Sequence, residues 1–482
     1  MTSLLILPVA LPLLMSLLAL IWPARVNQIG VATGLLIVLI GSAIVALVAG
    51  NGVQSQVLGG WQAGLGIALY ADGLTAVMLL MSALIGLAAS TFACRYFAGK
   101  PTLVQFWPLW LLLQAAISAL LLSADLFNLY VALELLGLSA VALTALGSGR
   151  AALKAAVDYL LLGLVGSLVF LAAVVLIYAR YGTLDMLLLG AMLQAEPITW
   201  VALALFTTSL MLKCALFPLH FWLPAVHANA PAPVSAALSA LVVKVVFYLL
   251  LRLWVDLFAP VITPALASVL GVLGAAAILW GSFCAIRAER LKLLAAYSTI
   301  AQLGYLFLFF SLLVVMPEGA QRQLLYGALL LFALTHGFAK SALFLAAGEV
   351  QQRLGHDRIA ELGGFARALP TTLFATALAG IALIGLPPSG SFLAKWQLMA
   401  QALSLGHWYV VLVVALGSLL ACIYLFRLLG CAFSPGLDKA PPVVERRAQL
   451  SPVMMALIAT IVLGLGSHPL WQLLADVGGG GV

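Results

Sequence analysis

Apolar runs of about 20 residues, each closed by a charged or Gly/Pro-rich cluster, recur from one end of the chain to the other. A run of that length crosses a bilayer as an α-helix. Cutting the sequence at its polar clusters predicts about fourteen helices, at roughly 3–22, 28–50, 72–93, 104–123, 126–147, 155–178, 198–218, 232–255, 262–286, 291–314, 322–347, 370–402, 408–431 and 450–472. The fold class is therefore an all-α polytopic membrane protein. The first run, Leu4 to Trp22, lacks a basic leader and a small-residue cleavage site, so it is expected to remain as a helix. The uncharged stretch from Gly50 to Tyr70, with Gly59, Gly60, Trp61 and Gly66, predicts a short hairpin on the membrane surface.

Two of the predicted helices are interrupted. The seventh runs through Lys213 into Phe217, Pro218, Leu219 and His220, and the twelfth breaks at Gly385, Leu386, Pro387 and Pro388 before Lys395. Interrupted helices in corresponding positions of two halves point to an inverted-repeat transporter. Helices 4–8 (residues 104–255) and 9–13 (residues 262–431) form two such groups of five, with the broken helix fourth in each. Residues 1–103 precede them as helices 1–3 with the hairpin, and residues 432–482 follow as a cytoplasmic loop and the last helix.

Charge then sets the orientation. Arginines and lysines crowd alternate loops: Arg25; Arg95 and Lys100; Arg150 and Lys154; Arg287, Arg290 and Lys292; Arg353, Arg358 and Arg367; Arg427, Lys439, Arg446 and Arg447. The opposite loops hold only Arg180, Arg252 and Arg322, a bias of roughly five to one that predicts both termini on the non-cytoplasmic side. The net charge of +7 is thus accounted for by topology, and no nucleic-acid partner follows. At 65% hydrophobic and 8% charged, the chain lies far from soluble composition. Cys94, Cys214, Cys284, Cys422 and Cys431 have no metal-ligand spacing and read as small core residues; no metal or cofactor is expected.

What topology leaves over is a set of charges inside the helices. Lys213, Lys244, Lys340 and Lys395 all fall within predicted spans. Each costs roughly 2.5 to 3.5 kcal/mol at a helix centre, about 10 to 14 together. Glu134 lies nine residues beyond Asp125 in the fifth helix, about 13 Å deep. His336 and Lys340 are four apart and share a helix face. His220 and His227 flank the connection from the seventh helix to the eighth, where proton uptake from the cytoplasm is expected. A lysine out of water gives up its proton more readily and a nearby carboxylate restores its grip, so a moving Glu134–Lys213 pair would load and release protons. The alternative is that these lysines snorkel to the interface or bond statically to carbonyls at the breaks. Asp158, four residues after Lys154, reads as half of an i,i+4 ion pair.

The run Lys213-Cys-Ala-Leu-Phe-Pro-Leu-His-Phe-Trp-Leu-Pro224, followed by Ala230-Pro-Ala-Pro-Val-Ser-Ala236 and Lys244, resembles the signature of the antiporter-like subunits shared by Mrp-type cation/proton antiporters, respiratory complex I and group 4 membrane-bound hydrogenases. Asp125-Leu-Phe-Asn-Leu-Tyr130 leading to Glu134, Leu291-Lys-Leu-Leu-Ala-Ala-Tyr-Ser298 with Gly304, His336 with Lys340, and Gly385-Leu-Pro-Pro-Ser-Gly-Ser-Phe392 before Lys395 extend the likeness over nearly the whole chain. The resemblance implies a fourteen-helix inverted-repeat fold, a proton channel in each subunit and work only within a larger complex. It marks Glu134, Lys213, Lys244, His336, Lys340 and Lys395 as the channel groups. Ala225 stands where the family often has an aspartate after Trp-Leu-Pro, which removes any role of that acid.

Two functions follow. One is Na+ (or K+)/H+ antiport as a D-type Mrp subunit; the other is proton pumping in an NADH:quinone oxidoreductase or hydrogenase. The expected partners are other membrane subunits, protons, Na+ or K+ and the lipids of a bacterial or archaeal cytoplasmic membrane. A membrane scaffold with inert charges is a third, blander class. No haem, iron–sulfur or nucleotide motif is present, and the Gly478–Gly481 tail lacks the strand and helix of a phosphate loop, so the chain itself is not a redox catalyst.

Overall fold

The computed structural model describes residues 4–60, 66–435 and 450–475. In chain order the elements are α1 (Leu7–Ile21), α2 (Val26–Asn51), β1 (Gln54–Val57), β2 (Ala68–Ala71), α3 (Gly73–Tyr96), α4 (Thr102–Leu122), α5 (Leu126–Ala145), α6 (Gly149–Tyr181), α7 (Met186–Met192) and α8 (Pro197–Lys213). There follow α9 (Leu223–Asn229), α10 (Ala232–Leu257), α11 (Pro264–Arg287), α12 (Leu291–Val315), α13 (Ala320–Leu354), α14 (Pro370–Ile384), α15 (Gly390–Ser404), α16 (Trp408–Phe433), α17 (Leu450–Leu465) and α18 (His468–Ala475). Among the described residues ten helices are long and apolar enough to span a membrane, and α1, α8, α14 and α17 are shorter apolar helices, which together give the fourteen crossings expected.

The seventh crossing is α8 with α9 and the twelfth is α14 with α15, so the breaks fall where the sequence placed them. Each broken crossing is fourth in a group of five, and because five is odd the two groups traverse the membrane in opposite senses. The most apolar windows of α10 and α13 are wholly buried and that of α12 is 89% buried, against 33% for α2 and α6. The bundle is therefore built around α10, α12 and α13, with the flanking helices turned to the perimeter. Helices α11 and α12 approach closely through glycines: a Cβ on Gly304 would stand 2.4 Å from the Gly274 carbonyl, the small-residue packing that bilayer helices use.

The expected hairpin forms, with β1 antiparallel to β2 and Ser55 opposite Tyr70; Trp61 lies outside the described residues. On this hairpin side aspartates begin three helices. Asp72, Asp125 and Asp185 accept hydrogen bonds from the amides of Thr75 (2.9 Å), Asn128 (2.7 Å) and Leu187 (2.9 Å) at the starts of α3, α5 and α7. Between α6 and α8, Arg180 forks onto Glu196 at 2.7 and 2.6 Å and holds that carboxyl below its ordinary range.

Several loop assignments change. Lys292 is buried in the first turn of α12, and Arg252 is buried within α10, so neither is a loop charge. Both reach back into the protein to bond oxygens, which spacing along the chain does not reveal. Lys439, Arg446 and Arg447 lie outside the described residues. Lys154 and Asp158 are both exposed and do not pair, since an exposed pair gains less than its side chains lose in freedom. Of the five cysteines only Cys214 is buried; the others are half-buried.

Candidate functional site

The site begins where α5, α6 and α8 meet. Glu134 Oε1 lies 3.9 Å from Lys213 Nζ, too far for a hydrogen bond, and has no hydrogen-bond partner of its own. The amine instead donates to Ser167 Oγ at 2.7 Å and to the Gly163 carbonyl at 3.3 Å. At an effective dielectric of about 20, charges at the observed 3.9 Å attract by about 4 kcal/mol, falling to about 2.4 at ~7 Å. A displacement of ~3 Å thus changes the attraction by more than a factor of ten in proton affinity.

Across the centre of the bundle the amines are linked by oxygens. A π-turn, Leu238–Val242, interrupts α10 directly before Lys244, and the Lys244 amine donates back into it, to the Ser239 carbonyl at 2.6 Å. The Ser239 hydroxyl meets the Thr299 hydroxyl of α12 at 2.8 Å. Thr299 donates to the Ala295 carbonyl at 2.9 Å, and Lys340 of α13 donates to the same carbonyl at 2.9 Å and to the Ser298 hydroxyl. The polar groups between Lys244 and Lys340 are thus the carbonyl and hydroxyl of Ser239, the Thr299 hydroxyl, and the Ala295 carbonyl that Thr299 and Lys340 share.

His336 lies one turn from Lys340, buried, and neither ring nitrogen has a hydrogen-bond partner. Beyond it, Lys395 of α15 donates to the Ile384 carbonyl at 2.9 Å and to Ser418 Oγ at 3.0 Å, with its amine 4.1 Å from the centre of the Tyr305 ring. The Ile384 carbonyl is free to accept because α14 ends there: Gly385 adopts φ +86°, and Lys395 threads past it. A Cβ at Gly385 would stand 2.9 Å from Lys395 Cδ. Gly385→Ala is therefore expected to displace the amine and destabilise the protein by about 1 to 3 kcal/mol. A lowered melting temperature of the purified complex together with slowed proton flux checks this; parent values for both would refute it.

The two uptake candidates part company. His227 is fully buried in α9, stacked on Phe344 at 4.8 Å, with both ring nitrogens unpartnered. His220 is half-buried at the perimeter, accepting from Trp280 Nε1 at 3.2 Å and stacked on Phe217. The structure brings Glu134 to Lys213 and Lys244 to Lys340, places His336 and Lys395 beyond, and keeps His220 apart. Lys292 donates to the Ala230 carbonyl beside His227 and was missed because it is numbered among loop charges. Glu349, buried on α13, accepts from Thr372 Oγ1 at 2.6 Å and was also missed. The hydroxyls Ser167, Ser239, Ser298, Thr299 and Ser418 left a fainter signal. On α12, Ser298 or Thr299, Gln302 and Tyr305 recur at steps of three and four, a polar stripe on an apolar helix.

A fourteen-crossing bundle with two broken helices and a row of enclosed lysines defines an antiporter-like membrane protein. Residues 123–426 match the family model described as NADH:quinone oxidoreductase/Mrp antiporter, TM, and the chain belongs to that family. It is 37% identical over 421 residues to the N subunit of an NADH-quinone oxidoreductase from Desulforudis audaxviator, covering 84% of this chain and 82% of the relative. It is 28% identical to the D subunit of a Na(+)/H(+) antiporter from Alkalihalophilus pseudofirmus, over 98% of this chain and 96% of that one. A chain in the structure of the Mrp complex from Dietzia sp. DQ12-45-1b shares its fold at a TM-score of 0.91 with 24% identity, covering 99% of this chain and 97% of the other.

Proposed function

We propose that this chain is the proton-conducting subunit of a multisubunit membrane complex, exchanging Na+ or K+ for protons as a D-type Mrp subunit. The observation that carries the reading is the row of polar groups from Lys244 through the Ser239 carbonyl and hydroxyl, the Thr299 hydroxyl and the Ala295 carbonyl to Lys340, enclosed at the centre of the bundle, along which water completes the proton path because the two carbonyls only accept. Snorkelling does not describe these amines, because Lys244, Lys340 and Lys395 are all buried. Static bonding to carbonyls accounts for each amine's own contact, but not for the pair of hydroxyls that meets between Lys244 and Lys340. In this reading Glu134 modulates Lys213, protons pass to Lys244 and Lys340, and His336 and Lys395 carry them on; His227, nearer the row than His220, is the uptake histidine. Groups α4–α10 and α11–α16 act as inverted repeats, in a cytoplasmic membrane with both termini on the non-cytoplasmic side. End-to-end likeness to the D subunit of an antiporter supports this choice.

A second reading is favoured by the 37% identity to a quinone oxidoreductase subunit: the same row would serve a redox-driven pump. Inverted vesicles holding the purified complex separate the two. Proton flux on a sodium or potassium step without an electron donor supports antiport, and flux that needs donor and acceptor supports the pump. In either case Glu134→Gln and Lys213→Ala are expected to slow flux by about 100-fold or more in assembled complex. Parent rates in both variants would overturn the relay.

A further inference from the structure

The two ends of the lysine row are held differently. Lys213 has a carboxylate beside it, Glu134 Oε1 at 3.9 Å, whereas Lys395 forms no ion pair among the described residues. Burying an ammonium without an opposing charge is costly, so another feature must favour its charged form. An ammonium carries three N–H donors. Two of those on Lys395 go to the Ile384 carbonyl at 2.9 Å and the Ser418 hydroxyl at 3.0 Å, and among the described residues no oxygen takes the third. What the amine has instead is the face of the Tyr305 ring, whose centre is 4.1 Å away. An aromatic face is negative and attracts a cation within about 6 Å of its centre, most strongly out of water. The other cations over rings, among the described residues, are Arg25, Lys100, Arg180, Arg252 and Arg287, none of them in the row.

The ring is wedged in place. Tyr305 is buried, its ring centre lies 5.5 Å from that of Phe332, and its hydroxyl end reaches Gly417, where a Cβ would overlap it. Gly417 and Ser418 are consecutive on α16, so the turn that admits the hydroxyl also supplies an acceptor for Lys395. A side chain that only filled space would not need to turn a ring face to an amine. We propose that Tyr305 is a positioning residue for Lys395, its ring face standing in for the carboxylate that Lys213 has, so that the last lysine holds a proton without an acid beside it. The inference rests on the lysine relay proposed above. It makes the two ends of the row unlike: Glu134 has no hydrogen bond to fix it beside Lys213, while the ring beside Lys395 is fixed by its packing. The first lysine is switched, and the last is held steady. The other titratable groups acting with Lys395 are Cys422 of α16 and His336 of α13, and the adjoining α14 and α17 bring none.

The test follows proton flux against pH in the assembled complex in inverted vesicles, with Lys395→Ala as a control on the relay itself. Replacing Tyr305 by pentafluorophenylalanine keeps a ring of similar shape and removes the negative charge from its face. Flux is expected to fall off on the alkaline side about one pH unit lower than in the parent, because a proton held about tenfold less tightly is lost at lower pH. Tyr305→Leu, which has no ring, should shift the profile the same way. Tyr305→Phe keeps the ring face and should keep the parent's profile, which a role through the hydroxyl would not allow. A parent profile in the fluorinated or the leucine protein while Lys395→Ala is inactive overturns the inference and leaves the relay standing. So does a shift in Tyr305→Phe as large as that in Tyr305→Leu. Parent-rate flux in Lys395→Ala removes Lys395 from the relay and the inference with it.

Discussion

Lys340→Ala is expected to abolish proton movement while leaving the protein folded. The Lys340 amine touches both the Ala295 carbonyl and the Ser298 hydroxyl, and through Ala295 it meets the Thr299–Ser239 contact that leads to Lys244. It is thus the joint between the first group of helices and the second. Removing it does not strand its partners: Ser298 donates to the Ala295 carbonyl at 3.0 Å, and Thr299 donates to the same oxygen. The costly event in a buried site, a polar group left without a partner, is avoided. A charge that costs roughly 2.5 to 3.5 kcal/mol at membrane depth is also relieved. Assembly should therefore survive, while flux in vesicles falls by about 100-fold or more. An assembled Lys340→Ala complex that conducts at the parent rate would remove Lys340 from the path.

Arg252→Ala should behave in the opposite way, failing in stability before function can be measured. The guanidinium lies between the Asp72 and Asp256 carboxylates, with only 8% of its side chain exposed, and its loss leaves the buried Asp72 and the half-buried Asp256 without their shared cation. Breaking a buried pair by removing one partner costs about 3 to 5 kcal/mol. The expected result is a markedly lower melting temperature and poor yield of complex. The triple variant Asp72→Asn, Arg252→Met, Asp256→Asn removes all three charges together and should recover most of the stability, since neutral replacement of such a triad is about cost-free. An Arg252→Ala complex that melts with the parent would show that the triad is not held as tightly as its 2.5 and 2.8 Å contacts imply.

The spans, both breaks and the hairpin were legible in the sequence because each leaves a local mark: a run of apolar residues, a proline near a lysine, an uncharged glycine-rich loop. The lysines were legible for an energetic reason, as charges that no loop could claim. Arg252 and Lys292 were misread because each stands within a few residues of a predicted helix end, where spacing alone cannot separate a loop cation from a buried one. What decides is a partner distant in sequence: Asp72 for Arg252, and the Ala230 carbonyl for Lys292. The hydroxyls were hidden for a similar reason. A serine in an apolar helix commonly bonds its own backbone, and only the meeting of Ser239 with Thr299 across two helices separates an interhelical contact from a local one.

That meeting also bears on selectivity. Two hydroxyl oxygens 2.8 Å apart leave space between them for the shared hydrogen and for no heavier atom. A proton crosses such a contact by exchange of bonds, without any nucleus heavier than hydrogen changing place. A sodium or potassium ion, which must carry its own shell of oxygens, cannot. If the complex exchanges metal cations for protons, their route lies away from Ser239 and Thr299, and the two fluxes are coupled through shape and charge instead of through a shared pore.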